Sequence, residues 1–131
     1  MNICFIILAA GESKRFNSKI PKIYSLYKGK SLILHSIDRV SNYKLINKIV
    51  LVVNKKHKKF IKKLNIKNIK VVTGGRTRSE STFKALNYIK RYNIKNVMLH
   101  DAARPNFTLK LLDKLINELR SNNCVIPTIK P

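Results

Sequence analysis

Continuous apolar runs alternate with segments of helical periodicity along the chain, and this alternation restricts the fold more than any other feature. Four runs predict buried strands, at residues 2–8, 48–53, 69–73 and 96–100, and residues 124–127 are predicted to start a fifth. Apolar strands separated by helices are typical of a parallel sheet that is covered on both faces. With right-handed crossovers, the sequence predicts an α/β fold with an open, doubly wound, mostly parallel sheet.

Helical spacing of apolar residues predicts four helices, at residues 31–40, 55–64, 79–92 and 108–120. The last is the clearest, because it carries an apolar stripe between positions 111 and 119 and Thr108 can cap its start. In the helix at 79–92 we expect Phe83, Leu86 and Ile89 to face the core. The length of 131 residues fits one domain.

The charge balance raises the possibility of a nucleic-acid-binding module. The chain has 28 Lys and Arg residues against 6 Asp and Glu residues, a formal net charge of +22. Most of the basic residues are lysines, which are weaker than arginine in planar recognition of phosphate or guanine. Lys, Ile and Asn are also encoded by A/T-rich codons, which explains their abundance without a nucleic-acid partner. A nucleic-acid partner is therefore not favoured, although the positive field would concentrate a nucleoside triphosphate.

Membrane association and secretion are not expected. No apolar run approaches the roughly 18 residues that a membrane span requires. Residues 1–10 lack a basic segment before the apolar run, so they are interpreted as a buried strand and not as a signal peptide. Cys4 and Cys124 fall in predicted strands without metal-ligand spacing, which predicts free, buried thiols and a cytoplasmic location.

The loop after the first strand is the first candidate site, since ligands bind doubly wound sheets at the carboxyl ends of strands. Its sequence, LAAGESKR at residues 8–15, has small residues that let the backbone approach a ligand and form an anion-binding concavity. Arg15 and Lys22 place two cations nearby. Gly11 is its only glycine, so it is neither a Walker A loop nor a GxGxxG fingerprint. The alternative is a tight turn with exposed cations.

The second candidate is GGRTRSES at residues 74–81, where two glycines end a strand and hydroxyl and arginine side chains open a helix. Helix N-termini attract anions and polar ligand edges. The alternative is a glycine turn with Ser79 as an ordinary N-cap.

The third candidate is HDAARP at residues 100–105. Asp101 is one of only six carboxylate residues and directly follows a predicted strand. Such a carboxylate suits a magnesium ion that is shared with substrate phosphates. The alternative is a local ion pair between Asp101 and Arg104. We expect His100 to have a structural role against the sheet.

In this order, the three segments resemble the 2-C-methyl-D-erythritol 4-phosphate cytidylyltransferases of the non-mevalonate isoprenoid pathway, from Asn2 to the last residue. The resemblance implies a Rossmann-like nucleotidyltransferase fold, of which residues 1–131 would be the nucleotide-binding part. It also implies transfer of CMP from CTP to a methylerythritol phosphate, with Mg²⁺ on the triphosphate. The full-length protein would be a homodimer.

The resemblance implies roles for individual residues of the first loop. Residues that match the phosphate and ribose cradle for CTP are Ala9, Ala10, Gly11, Ser13 and Arg15. Arg15 and Lys22 match the catalytic pair that stabilises charge on the α-phosphate in the transition state. Ser13 stands where many relatives have a second glycine.

In the other two segments, Gly75 and Ser81 match positions that read the cytosine. Asp101 matches the magnesium-associated aspartate, Ala102 matches a ribose contact, and Arg104 matches a position near the sugar-phosphate substrate.

Two features of the resemblance qualify the expected activity. Ribitol 5-phosphate cytidylyltransferases are the close alternative, but their first loop more often has Gly-Gly, and their third motif less often has two alanines before the arginine. Family members also continue past Pro131, with an Asp-Thr segment, an arm exchanged between subunits, and a lysine and an arginine for the substrate phosphate. We therefore expect nucleotide affinity with little turnover from these 131 residues alone.

Overall fold

Four long parallel strands form the central sheet of the protein, for which a computed structural model describes residues 1–12 and 19–131. Within those residues the sheet order is β5-β4-β1-β6, with every neighbouring pair parallel, which confirms the predicted α/β class. In chain order the strands are β1 (Ile3–Ala9), β2 (Leu26–Tyr27), β3 (Lys30–Ser31), β4 (Ile46–Val53), β5 (Lys70–Thr73) and β6 (Asn96–Asp101).

Strand β1 lies in the middle of the sheet, where both of its faces are covered. Its first five residues, Ile3 to Ile7, are at most 2% exposed. Because every side chain is apolar, alternate residues enter two different cores, as expected for a central parallel strand. The continuous apolar run at the start of the sequence therefore explains the central place of this strand.

Helices cover both faces of the sheet, as predicted. Phe5 and Ile7 pack in one core with Ile33 of α1, while Cys4 and Ile6 pack in the other with residues of α3. The helices are α1 (Leu32–Ser41), α2 (Lys58–Lys63), α3 (Arg78–Ile89) and α4 (Leu109–Leu119). Thr108 caps α4 by accepting a hydrogen bond from the Leu111 N–H, which confirms the predicted cap.

A small hairpin, β2–β3, lies outside the main sheet and was not predicted. Its two-residue turn has positive φ at Lys28 (48°) and Gly29 (84°), the geometry of a type I′ turn. A 3-10 turn, Lys22–Tyr24, precedes the hairpin and buries its last two residues.

Two expectations about the core were wrong. Helix α3 begins at Arg78 and buries Ser81, Ala85 and Ile89, so Phe83 is 61% exposed. Leu86, also expected to face the core, is 36% exposed. The buried face of α3 begins with a small polar residue, which a search for apolar spacing does not detect.

The predicted fifth strand and the second buried thiol were also wrong. Residues 124–127 form no strand, because no backbone ladder joins them to any strand that the structure describes. Cys124 is exposed, while Cys4 is buried as expected and burial raises the pKa of its thiol to about 11. Within residues 1–12 and 19–131, no helix has the length and apolar character needed to cross a membrane.

Candidate active site

A cleft of about 440 Å³ lies at the carboxyl end of the sheet. The chain leaves β5 on one side of β1 and enters β6 on the other, so the strand order reverses at β1. Residues at or just after the ends of β1, β4, β5 and β6 line the cleft together, among them Gly11, Asn54, Gly75 and Asp101. The three segments selected from the sequence therefore meet at one place.

One side of the cleft is lined by Ala10, Gly75 and Ser81, and these residues together with the adjacent Gly74 are here called the packed half. The Gly74 N–H donates to the Val53 carbonyl over 2.8 Å, which extends the β4–β5 pairing into the loop. A Cβ at position 74 would lie 2.4 Å from the Ala10 Cβ and 2.7 Å from the Ser81 Oγ. Gly74 is thus required by the close approach of the first and second loops, which the sequence alone does not indicate.

Ser81 supports the second loop through a hydrogen bond to its backbone. Ser81 is 3% exposed, and its Oγ accepts a hydrogen bond from the Gly75 N–H over 3.0 Å. The Asn54 amide donates to the Ala10 carbonyl over 3.1 Å and so supports the first loop. These contacts give the packed half a fixed shape made largely of backbone and small side chains.

The start of α3 differs from the expected Ser79 cap. Thr77 is the N-cap, and its hydroxyl accepts a hydrogen bond from the Glu80 N–H over 3.0 Å. The Glu80 carboxylate in turn accepts from the Arg76 N–H over 2.9 Å. This arrangement is close to a capping box, and it fixes where the first residue of the helix, Arg78, enters the cleft.

The other side of the cleft, here called the charged half, consists of Arg78, Asp101 and Arg104. The Arg78 Nε lies 3.1 Å from Asp101 Oδ1, and the Arg104 Nε lies 3.8 Å from Oδ2. The local pair with Arg104, foreseen as an alternative, is therefore present. The pair with Arg78 was missed, because the two residues are far apart in sequence and belong to different motifs.

His100 anchors the charged half to the core, in the structural role expected for it. Its Nε2 lies 3.1 Å from the Ser36 Oγ, and its ring packs against Phe5 and Phe107 with centroid distances of 5.6 and 4.6 Å. Burial lowers the pKa of His100, although neighbouring Asp101 opposes the shift. The buried His100 ring thus holds the end of β6 directly before Asp101, the carboxylate of the charged half.

The predicted site residues fall into three groups. Six of them line the cleft: Ala10, Gly11, Gly75, Ser81, Asp101 and Arg104. Ala9 and Ala102 are buried beneath it, at 3% and 1% exposure, and the Ala102 N–H donates to the Leu8 carbonyl.

Lys22, Ser13 and Arg15 complete the set of predicted site residues. Lys22 is exposed at the start of its 3-10 turn and is not among the described residues that line the cleft. Ser13 and Arg15 lie outside the described residues.

Asp101 is the carboxylate that the sequence analysis assigns to a magnesium ion. The described part of the chain has no group of three or more His, Cys, Asp or Glu side chains that would form a complete metal cage. Mg²⁺ is commonly held by one or two carboxylates together with substrate phosphates and water. One partly exposed carboxylate in a cleft fits that mode of binding.

Comparison with known proteins supports a single family. The sequence model described as 2-C-methyl-D-erythritol 4-phosphate cytidylyltransferase matches residues 3–130. The bifunctional enzyme IspD/IspF of Pelagibacter ubique is 68% identical over 130 residues, covering 99% of this chain and 35% of that relative. The cytidylyltransferase of Thermosipho melanesiensis is 33% identical over 98% of this chain and 59% of the relative.

A solved structure gives the same result. The 4-diphosphocytidyl-2C-methyl-D-erythritol synthase of Anaerococcus prevotii superposes with a TM-score of 0.78 at 32% identity, over 92% of this chain and 52% of that one. The chain thus spans between one third and three fifths of the length of these relatives. Fold, order of motifs and sequence identity agree, and the chain belongs to the 2-C-methyl-D-erythritol 4-phosphate cytidylyltransferase family.

Proposed function

We propose that this chain is the nucleotide-binding part of an enzyme that transfers CMP from CTP to 2-C-methyl-D-erythritol 4-phosphate. The products are 4-diphosphocytidyl-2-C-methyl-D-erythritol and pyrophosphate. The observation that carries the proposal is the meeting of the three motif loops in one cleft at the strand-order reversal. The reaction serves the synthesis of isoprenoid precursors.

The chemistry is a displacement at phosphorus that needs positioning and charge stabilisation more than a protein base. A phosphate oxygen of the sugar phosphate forms a bond to the α-phosphorus of CTP, and the bond from that phosphorus to the bridging oxygen breaks as pyrophosphate leaves. We assign stabilisation of the α-phosphate charge to Arg15 and Lys22. The phosphate and ribose cradle is assigned to Ala9, Ala10, Gly11 and Ser13.

The remaining residues orient the two substrates. We assign the cytosine to Gly75 and Ser81, the ribose to the backbone around Ala102, and the sugar phosphate to Arg104. Mg²⁺, held by Asp101 and the triphosphate, would reduce the charge repulsion between the reacting phosphates. The packed half has the backbone-lined shape that recognition of a flat base requires, and the charged half has the side chains for metal and phosphate.

Other properties of the whole enzyme follow from its family. We propose a homodimer in the cytoplasm, with CTP and a polyol phosphate as its small-molecule partners. Ribitol 5-phosphate is the alternative acceptor.

Calorimetric titration with CTP and Mg²⁺ tests the proposed function, with ATP, UTP and a short single-stranded oligonucleotide as competitors. We expect CTP-selective, Mg²⁺-dependent binding that is lost in Arg15→Ala and weakened in Asp101→Ala. Arg91→Ala is the matched control, because Arg91 follows α3 and lies over the Tyr88 ring, outside the residues that line the cleft.

A different pattern of binding would contradict the proposed function. Equal binding of every polyanion, with a steep loss of affinity on addition of salt, would support the nucleic-acid-binding alternative that the +22 charge suggests. In that case Arg15→Ala and Arg91→Ala would weaken binding to the same extent.

A further inference from the structure

We infer that Arg78 is a positioning residue that competes with the divalent cation for the Asp101 carboxylate and thereby couples metal binding to nucleotide binding. The inference rests on the proposed function, because it concerns the metal and phosphate side of the same cleft. The sequence alone indicates no role for Arg78. Its contact with Asp101 in the folded protein does.

The geometry places Arg78 on the carboxylate oxygen that a metal needs. Its Nε lies 3.1 Å from Asp101 Oδ1, within hydrogen-bond distance, while Arg104 reaches the other oxygen only at 3.8 Å. A cation that binds Asp101 through Oδ1 therefore meets the positive Arg78 guanidinium there, and the repulsion between the two favours displacement of the guanidinium. Both side chains line the cleft, so the displaced guanidinium stays within it.

The backbone of Arg78 is fixed while its side chain remains adjustable. Thr77 caps the helix immediately before it, and the Thr82 hydroxyl donates to the Arg78 carbonyl over 2.9 Å. The side chain itself is 61% exposed, against 38% for Asp101. Because the Arg78 backbone is fixed and its guanidinium is exposed, the guanidinium can exchange one anionic partner for another without movement of the helix.

The energetics favour exchange over a permanent pair. An ion pair between exposed side chains contributes little to stability, so a divalent cation can break it. A guanidinium released in this way suits a phosphate, which it can bind through parallel N–H donors. Mg²⁺ alone is opposed by Arg78, whereas Mg²⁺ with a triphosphate provides a new partner for it, and the two binding events therefore reinforce each other.

Side-chain carboxyl ¹³C NMR tests the inference directly, because the chain has only six carboxylate residues. Mg²⁺ alone is titrated against the wild type, Arg78→Gln and Arg76→Gln while the Asp101 carboxyl resonance is followed. Arg76 is the matched control: it lines the same cleft with the same charge, and the structure records no ion pair between it and Asp101.

We expect Arg78→Gln to bind Mg²⁺ at Asp101 about threefold to fivefold more tightly than the wild type, the range that loss of one exposed competing cation allows. Arg76→Gln should stay within about twofold, since a more distant charge is screened by salt. Equal tightening in both variants would overturn the inference in favour of a general field effect. Weaker Mg²⁺ binding in Arg78→Gln would also overturn it, because a purely structural role predicts that result.

The second measurement is calorimetry with CTP and Mg²⁺ together, where Arg78→Gln should bind more weakly than Arg76→Gln. Opposite changes for Mg²⁺ alone and for CTP with Mg²⁺ are a result that misfolding does not produce. Arg78→Lys keeps the charge but lacks the planar donors, so its affinities in both titrations should fall between those of the wild type and Arg78→Gln. Wild-type affinities of Arg78→Gln in both titrations would overturn the inference. If the wild type shows no preference for CTP, the proposed function fails, while the Mg²⁺ titration still decides the competition at Asp101.

Discussion

The packed half and the charged half of the cleft are built on opposite principles. In the packed half, Gly74 has no room for a methyl group and the Ser81 hydroxyl is buried and hydrogen-bonded. In the charged half, Asp101 and its two arginines are partly or largely exposed, and their contacts are ion pairs. Close packing tolerates almost no change in side-chain volume, whereas exposed ion pairs exchange partners at small cost.

Because of this difference, the packed half fixes the shape of the cleft and the charged half can respond to a bound ligand. The packed half presents the same backbone surface whatever binds, which suits discrimination between bases. The charged half rearranges around metal and phosphate. Substitutions in the packed half should therefore change the free energy of unfolding, and those in the charged half should change ligand binding with little effect on stability.

The largest effect is expected for Gly74→Ala. The added Cβ would lie 2.4 Å from the Ala10 Cβ, so a loop must shift, and we expect a loss of about 1–3 kcal/mol in the free energy of unfolding. Urea denaturation measures it. Gly11→Ala is the matched control and should leave stability nearly unchanged, because a Cβ there meets no heavy atom of residues 1–12 and 19–131 within 4 Å. Equal stability of the two variants would show that the packed half is not rigid.

Ser81→Ala should follow. It removes the acceptor of the part-buried Gly75 N–H, and loss of one such hydrogen bond should lower the free energy of unfolding by about 1 kcal/mol. Ser79→Ala, at an exposed position two residues earlier in α3, is the control and should change little. Thermal unfolding of both variants provides the comparison. A Ser81→Ala protein as stable as the control would mean that another group satisfies the Gly75 N–H.

The pH dependence of stability tests the anchor of the charged half. Burial lowers the pKa of His100 in the folded protein, so the unfolded chain binds more protons below the usual imidazole pKa of about 6.5. Stability is therefore fully present above that pH and is lost as the pH falls towards the lowered pKa of the folded state. Burial also lowers the pKa of His57, which adds to the same slope.

Unfolding free energies between pH 7.5 and pH 5 measure this slope in the wild type, His100→Gln and His57→Gln. Each variant should show a shallower loss of stability with falling pH than the wild type. The value at pH 7.5 separates the loss of His100 packing from the titration. A slope that is unchanged in His100→Gln would mean that this ring titrates normally in the folded protein.

The smallest effect on stability is expected for Arg104→Gln. Its side chain is 82% exposed and lies 3.8 Å from the carboxylate, so its removal should change the free energy of unfolding by less than about 0.5 kcal/mol. Added salt should not alter that difference measurably. A loss comparable to that of Ser81→Ala would remove the distinction between the two halves.

Much of the fold was predictable because each strand of the main sheet contains a run of apolar residues. A run such as β1 can only be a strand buried on both faces, so the α/β class and the helices on both faces were confirmed. The same reasoning failed at residues 124–127, because an apolar run becomes a strand only beside a partner. It also missed β2–β3, whose short strands leave Gly29 as their main signal.

The cleft was predictable as a place but not as a set of contacts. Each motif follows a strand, and parallel strands bring their carboxyl ends to one edge, so the meeting of the three loops follows from topology. The contact between Arg78 and Asp101 depends on the direction of two side chains, one at the start of helix α3 and one at the end of strand β6, which spacing along the chain does not encode. Gly74 and Ser81 similarly owe their importance to the distance between loops.

The central place of β1 also has a consequence for synthesis on the ribosome. Its first partner, β4, ends at Val53 and its second, β6, ends at Asp101, so roughly 50 residues separate the two pairings. At about 5–20 residues per second, translation takes roughly 2–10 seconds to cover that distance. Throughout this time one edge of the most apolar strand has no partner from its own chain, and a chaperone that binds extended apolar segments would meet it there. Among the strands of the described sheet, the one made first is the last to gain both of its neighbours.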